Sequence, residues 1–66
     1  MQIVVNGESR TLEAPATVAS LLASLELDPR TVVVELNQHI VRRGDIGEAV
    51  LSEGDRVELV HFVGGG

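Results

Sequence analysis

The chain ends in Gly64-Gly65-Gly66, the stretch least explicable by packing. Three consecutive glycines are entropically costly to order and bring no side chain to a core. Extended, they reach about 10 Å beyond whatever precedes them. They finish in a carboxylate with no Cβ nearby to obstruct a narrow channel. A thin rod tipped by a carboxylate suits insertion into another protein's active site. The alternative is a frayed terminus, since chain ends are commonly loose. Other chemistry-bearing groups are sparse. His39 and His61 lack the spacing of a zinc or general-base site. Arg42-Arg43 is the only basic cluster, suited to a phosphate or an acidic partner patch, or simply to a solvated turn. Glu53-Gly54-Asp55 reads as turn chemistry rather than a carboxylate pair. The sequence contains no cysteine, which removes thiol nucleophiles, disulfides and cysteine zinc sites. It also has no Gly-rich phosphate loop and no serine elbow. An enzyme is not expected.

Composition narrows the partners. Sixty-six residues make one domain, which buries only about 60% of its unfolded surface. Hydrophobic residues are 44% of the chain, Phe62 is the single aromatic, and the formal charge is −5 with every basic residue an arginine. The core must therefore be built from Val, Leu, Ile and Ala. An acidic chain without a basic stripe is a poor nucleic-acid ligand. It suits partners with basic docking surfaces, where charge speeds encounter more than it sets affinity. No apolar run approaches the ~20 residues of a membrane span, and the opening Met1-Gln2-Ile3 lacks the basic flank of a signal peptide. The expectation is a cytoplasmic protein, monomeric when free, with no nucleic-acid or membrane partner.

The elements that would carry the tail can be read in order. Residues 2–5 form a β-branched strand, and Asn6-Gly7 is a hairpin turn because both residues accept positive φ. A second strand runs from about Ser9 to Glu13. Parity across the hairpin puts Met1, Ile3, Val5 and Leu12 on the inner face and Val4 outside, with Arg10 extending its head to water at the rim. Ala14-Pro15-Ala16 breaks the strand, and Thr17 is placed to cap a helix. Val18, Leu21, Leu22 and Leu25 recur as a helical stripe. The capping box is expected to be incomplete, with Ser20 where Glu or Gln would reach back; Asp28-Pro29 ends the segment. Thr31 to Asn37 alternates as a third strand, Asn37-Gln38-His39 turns into a short strand at Ile40-Val41, and Ile46 to Leu51 is poorly periodic, with room for one helical turn. Ser52 to Asp55 is a polar turn. The last strand, Arg56 to Val63, sets Val57, Leu59, His61 and Val63 on one face against Glu58, Val60 and Phe62.

A hairpin, a helix and returning strands form the pattern of an α+β, β-grasp (ubiquitin-like) fold: a mixed sheet with one main helix packed on one face. Such a sheet needs its terminal strands side by side at the centre, which would bury most of the last strand. Residues 1–63 would be the β-grasp domain and residues 64–66 a flexible C-terminal glycine tail. Together with that topology, Met1-Gln2-Ile3 with Asn6, Thr17-Val18 with Leu21-Leu22, and Leu36-Asn37-Gln38-His39-Ile40-Val41 followed by Arg43 carry a resemblance. So do Gly54-Asp55 and Gly65-Gly66. Over its whole length the chain resembles the sulfur-carrier family of thiamine biosynthesis. Gly64 is a departure, giving three glycines where two are expected, hence a slightly longer or looser tail.

The resemblance implies that an E1-like adenylyltransferase, using its own bound ATP, adenylates the Gly66 carboxylate. Sulfur from a persulfide donor enzyme then leaves a thiocarboxylate, which thiazole synthase uses. This chain would bind no cofactor or metal and catalyse nothing itself. Gly64 and Gly65 would give access to partner active sites. Val60, His61 and Phe62, nearest the tail, are the candidate docking residues, with Arg42 and Arg43 as electrostatic candidates. Three alternatives stand beside this one: a molybdopterin-type sulfur carrier, a ubiquitin-like modifier, and a plain interaction module.

Overall fold

The computed structural model describes residues 1–61. Phe62, Val63 and the three glycines lie outside the described residues, and with them the expected boundary between domain and tail. The elements are β1 (Gln2–Val5), β2 (Glu8–Thr11), α1 (Val18–Ser24), β3 (Val32–Leu36), β4 (His39–Val41) and β5 (Arg56–His61), with 3₁₀ turns at Pro29–Thr31 and Arg43–Asp45. They form a five-stranded sheet in the order β2-β1-β5-β3-β4. β1 and β5 are parallel neighbours, and the other pairings are antiparallel.

The first hairpin has the two-residue turn its sequence demands. Asn6 and Gly7 sit at φ 49° and 84°, the left-handed pair whose twist matches that of the flanking strands. The resulting register pairs Ile3 with Arg10 and Val5 with Glu8, and Met1 and Leu12 extend it through backbone hydrogen bonds. Ile3 and Val5 are buried, while β2 is exposed throughout. β2 ends at Thr11, shorter than expected. The second hairpin repeats the first, with Asn37 and Gln38 at φ 49° and 72° between β3 and β4.

Helix α1 packs Val18, Leu21 and Leu22 into the core, each such side chain contributing about 1.5–3 kcal/mol of burial before ordering entropy is subtracted. Contrary to the sequence expectation, its capping box is complete. The Thr17 hydroxyl accepts the Ser20 N–H at 3.1 Å, and the Ser20 hydroxyl accepts the Thr17 N–H at 2.9 Å. A serine is long enough here to do what glutamate usually does. The helix also stops earlier than Asp28-Pro29. Leu25 is its C-cap, and Glu26 takes a left-handed φ of 58°. The Glu26 and Leu27 amides then donate to the Ala23 and Leu22 carbonyls, which satisfies two orphan acceptors in a Schellman closure.

The aperiodic segment 46–51 is a strap across the helix start. Its Ala49 and Ile46 carbonyls accept the N–H groups of Val18 and Ala19, two of the donors that an α-helix leaves unpaired at its first turn. Thr17 and Val50 form an isolated antiparallel bridge, and Ile46 and Leu51 enter the core beside Ile3, Val5, Val34 and Val57.

Candidate functional site

β5 carries the chain out towards the glycines, so its supports define the site. It lies between β1 and β3, as a central terminal strand should. Its burial departs from the expectation, however: Val57 is fully buried and Leu59 half-buried, while Arg56, Glu58, Val60 and His61 are exposed. One cause is that helix α1 covers a single sheet face. The other is length. β1 pairs with β5 only at Val4–Arg56 and Val5–Val57, so β5 outruns its parallel neighbour. β3 accompanies it to the last described residue, Val32 pairing with His61.

Where β1 gives out, a side chain continues it. The Asn6 N–H donates to the Val57 carbonyl at 2.9 Å. The next ladder bond from β5 would need the Asn6 backbone carbonyl, which the turn carries away. The Asn6 side chain replaces it: its Oδ1 accepts the Leu59 N–H at 2.7 Å, and its Nδ2 donates to the Leu59 carbonyl at 3.3 Å. The other turn asparagine does the same at the entry to β5. Asn37 Oδ1 accepts the Arg56 N–H at 2.9 Å while the Asn37 N–H donates to the Arg56 carbonyl. Asn37 Nδ2 donates to Asp55 at 3.0 Å. Both ends of the central strand are thus gripped by hairpin-turn amides.

The expected docking residues separate onto two faces. Val60 is 55% exposed on the face away from the helix, beside Val33. His61 is exposed and has the parity of Val57 and Leu59. Phe62 lies outside the described residues, as do Gly64, Gly65 and Gly66. The sheet register brings the arginines close to this end. Arg42 and Arg43 line a shallow concavity of about 190 Å³ with Val32, Val33 and Ile40, and Val32 and Val33 are the partners of His61 and Val60. Arg43 Nη2 approaches the Arg30 carbonyl at 3.4 Å. Ile40, 68% exposed, was not expected in this group. Only the pairing of Ile40 with Glu35, which turns it outward next to Val33, identifies it.

A larger concavity of about 450 Å³ lies towards the entry end of β5, lined by Glu35, Asn37, Gln38, Arg56 and Glu58. Here Glu35 and Glu58 are direct cross-strand partners. The histidines are not brought together: His39 pairs with Leu36 and His61 with Val32, about 13 Å apart along β3. Among the described residues no three His, Asp or Glu side chains group as metal ligands. No described helix is long and apolar enough to cross a membrane. Away from the sheet, the Arg30 guanidinium donates to the Asp28 carboxylate at 2.8 Å. That contact and the Arg30 backbone N–H hold the Asp28 carboxyl at about 2, below its ordinary 3.8.

A mixed sheet with parallel terminal strands at its centre, one helix across one face, and a sequence that ends in three glycines after the central strand define a ubiquitin-like β-grasp protein. Comparison with known proteins narrows the class. The ThiS family model matches residues 3–66. The crystal structure of the thiamine biosynthesis protein ThiS of Geobacter metallireducens superposes with a TM-score of 0.83 at 33% identity, covering 100% of both chains. The sulfur carrier protein ThiS of Bacillus subtilis is 44% identical over 50 residues, 76% of each chain. A thiazole synthase of Magnetococcus marinus is 47% identical over all 66 residues, which span only 20% of its length. The chain belongs to the ThiS family.

Proposed function

We propose that this chain carries sulfur as a thiocarboxylate on Gly66. A carboxylate is a poor electrophile. An E1-like adenylyltransferase therefore activates it: the carboxylate attacks the α-phosphate of ATP, pyrophosphate leaves, and an acyl adenylate results. The terminal sulfur of a persulfide donor attacks the carbonyl and AMP departs, leaving an acyl disulfide; a thiol then cleaves its S–S bond, releasing the thiocarboxylate and forming a disulfide with the donor's sulfur. Thiazole synthase then takes that sulfur. ATP is held by the adenylating partner, so the chemistry belongs to an ATP-supplied, cytoplasmic setting. Residues 1–63 serve as the body and residues 64–66 as the tail, with Gly64 and Gly65 allowing entry into narrow active sites. Val60, His61, Phe62, Arg42 and Arg43 are the docking candidates.

The observation that supports this most is the placement of β5. A strand held in the centre of the sheet, outrunning β1, precedes three glycines in the sequence, within the span matched by the family. With no cysteine in the chain, no side-chain thiol can carry the sulfur. The similarity to a segment of a longer thiazole synthase favours that enzyme as the acceptor over a molybdopterin-type one.

Intact mass after incubation with the cognate adenylating enzyme, ATP, a persulfide donor and a thiol reductant tests the proposal. The expected change is a gain equal to sulfur replacing oxygen, absent when Gly66 is deleted. An unchanged mass with no trapped adenylate would overturn it and leave an interaction module.

A further inference from the structure

The geometry points to Asn6 as a positioning residue for the tail, acting through Leu59. This inference rests on the carrier function proposed above. Among the described residues, Leu59 is the last point at which β5 is held on its β1 side: beyond Val57 no β1 residue pairs with it, and both Asn6 side-chain bonds end on Leu59. Only β3 accompanies the strand from there to His61. The outgoing end of the described strand is therefore held by one ladder on the β3 side and one amide on the other. Removing the amide leaves the outgoing end of β5 as an edge strand, with exposed and unpaired groups at Leu59 that fray more readily.

Turn formation alone does not explain Asn6. At φ 49° glycine would serve the turn at least as well, but glycine has no carbonyl to extend the ladder. The Asn37 clamp on Arg56 is the internal comparison. It has the same amide acceptor and the same φ, yet it acts at Arg56, the opposite end of β5 from His61. If turn stability were the whole role of these asparagines, loss of either would have the same consequence. If position matters, only loss of Asn6 should reach the tail.

The test compares Asn6→Gly with Asn37→Gly, since glycine preserves both turns. Amide exchange at Leu59 in the free protein and the rate of mass gain with the adenylating enzyme, ATP, persulfide donor and thiol reductant are measured for each. In Asn6→Gly, Leu59 should exchange about tenfold faster, the effect of losing roughly 1.4 kcal/mol of local protection. The rate of mass gain should also fall about tenfold, because each backbone residue that must be ordered on insertion opposes it by a comparable factor. The loss should appear in kcat/KM, since the frayed end also carries the docking candidates Val60 and His61, and it should follow the exchange rate at Leu59 across the variants. Asn6→Asp, which keeps the acceptor for the Leu59 N–H and loses the donor, should lie between. Asn37→Gly should speed exchange at Arg56 and leave the rate of mass gain at the wild-type value.

Wild-type turnover by Asn6→Gly, or an equal fall in both glycine variants, would overturn the positioning role. Unchanged exchange at Leu59 would show that the amide does not hold the strand and would overturn it as well. Absence of mass gain in the wild-type chain would instead defeat the carrier function, and the tail-positioning role with it. The exchange measurement would still decide whether Asn6 clamps β5.

Discussion

Glu35 and Glu58 face each other across the β3–β5 ladder, and neither takes part in an ion pair among the described residues, where the Arg30–Asp28 contact stands alone. Like charges directly opposite in a sheet destabilise it by about 0.2–1 kcal/mol. Coulomb's law gives a similar figure, about 0.6 kcal/mol for two carboxylates ~7 Å apart in water-like surroundings. Glu58→Gln removes that repulsion and keeps the side-chain shape, so it should stabilise the chain. For a domain of this size ~0.6 kcal/mol raises Tm by about 2–5 °C. Glu58→Lys converts repulsion to attraction and should roughly double the gain. The assay is thermal unfolding followed by circular dichroism at two salt concentrations. Screening reaches ~10 Å at 0.1 M salt and ~3 Å at 1 M, so the advantage of both variants should shrink towards zero at 1 M. Equal Tm values at low salt, or a gain that survives 1 M salt, would refute the electrostatic account.

Two further outcomes follow from local geometry. Glu26 holds a left-handed φ of 58° at the helix end, at a cost of about 1–2 kcal/mol for a residue with a Cβ. Glycine there relieves the strain but adds about 0.5–1 kcal/mol of unfolded-state entropy, so Glu26→Gly should stabilise by about 0.5–1 kcal/mol, read as a higher denaturation midpoint. The Asp28 carboxyl, held at about 2 rather than 3.8, contributes stability that is fully present above its unfolded pKa and is lost as pH falls through the folded one. Melting curves of Asp28→Asn should therefore change less than those of wild type between pH 4 and 2, the pair differing most at the upper end of that window.

Much of the body is legible in the residues. Ile3 and Val5 alternate with Gln2 and Val4, and the Asn6-Gly7 turn permits the register that sets Leu12 beside Met1. Val18, Leu21 and Leu22 share one helical stripe behind a Thr17 cap. These are short-range facts, carried by periodicity and by the φ preferences of a few residues. The strap at 46–51 was opaque for a physical reason: its backbone bonds run to the first turn of α1, so it has no period of its own. The Ser20 half of the capping box needed the actual distance to the Thr17 amide. Asn6 and Asn37 were legible as turn residues, but their grip on β5 depends on strands distant in sequence.

The candidate site divides along the same line. Composition and order alone indicate a tail without side chains, a chain without thiols, and a last strand apolar enough to sit inside a sheet, because each is a property of neighbouring residues. Which face Val60 occupies, that Ile40 and the Arg42-Arg43 pair gather near it, that Glu35 meets Glu58, and that an asparagine amide replaces the missing end of β1 were decided only by tertiary structure. Those facts depend on strand register, and register is settled when the whole sheet closes over one helix, with every buried side chain constraining the rest.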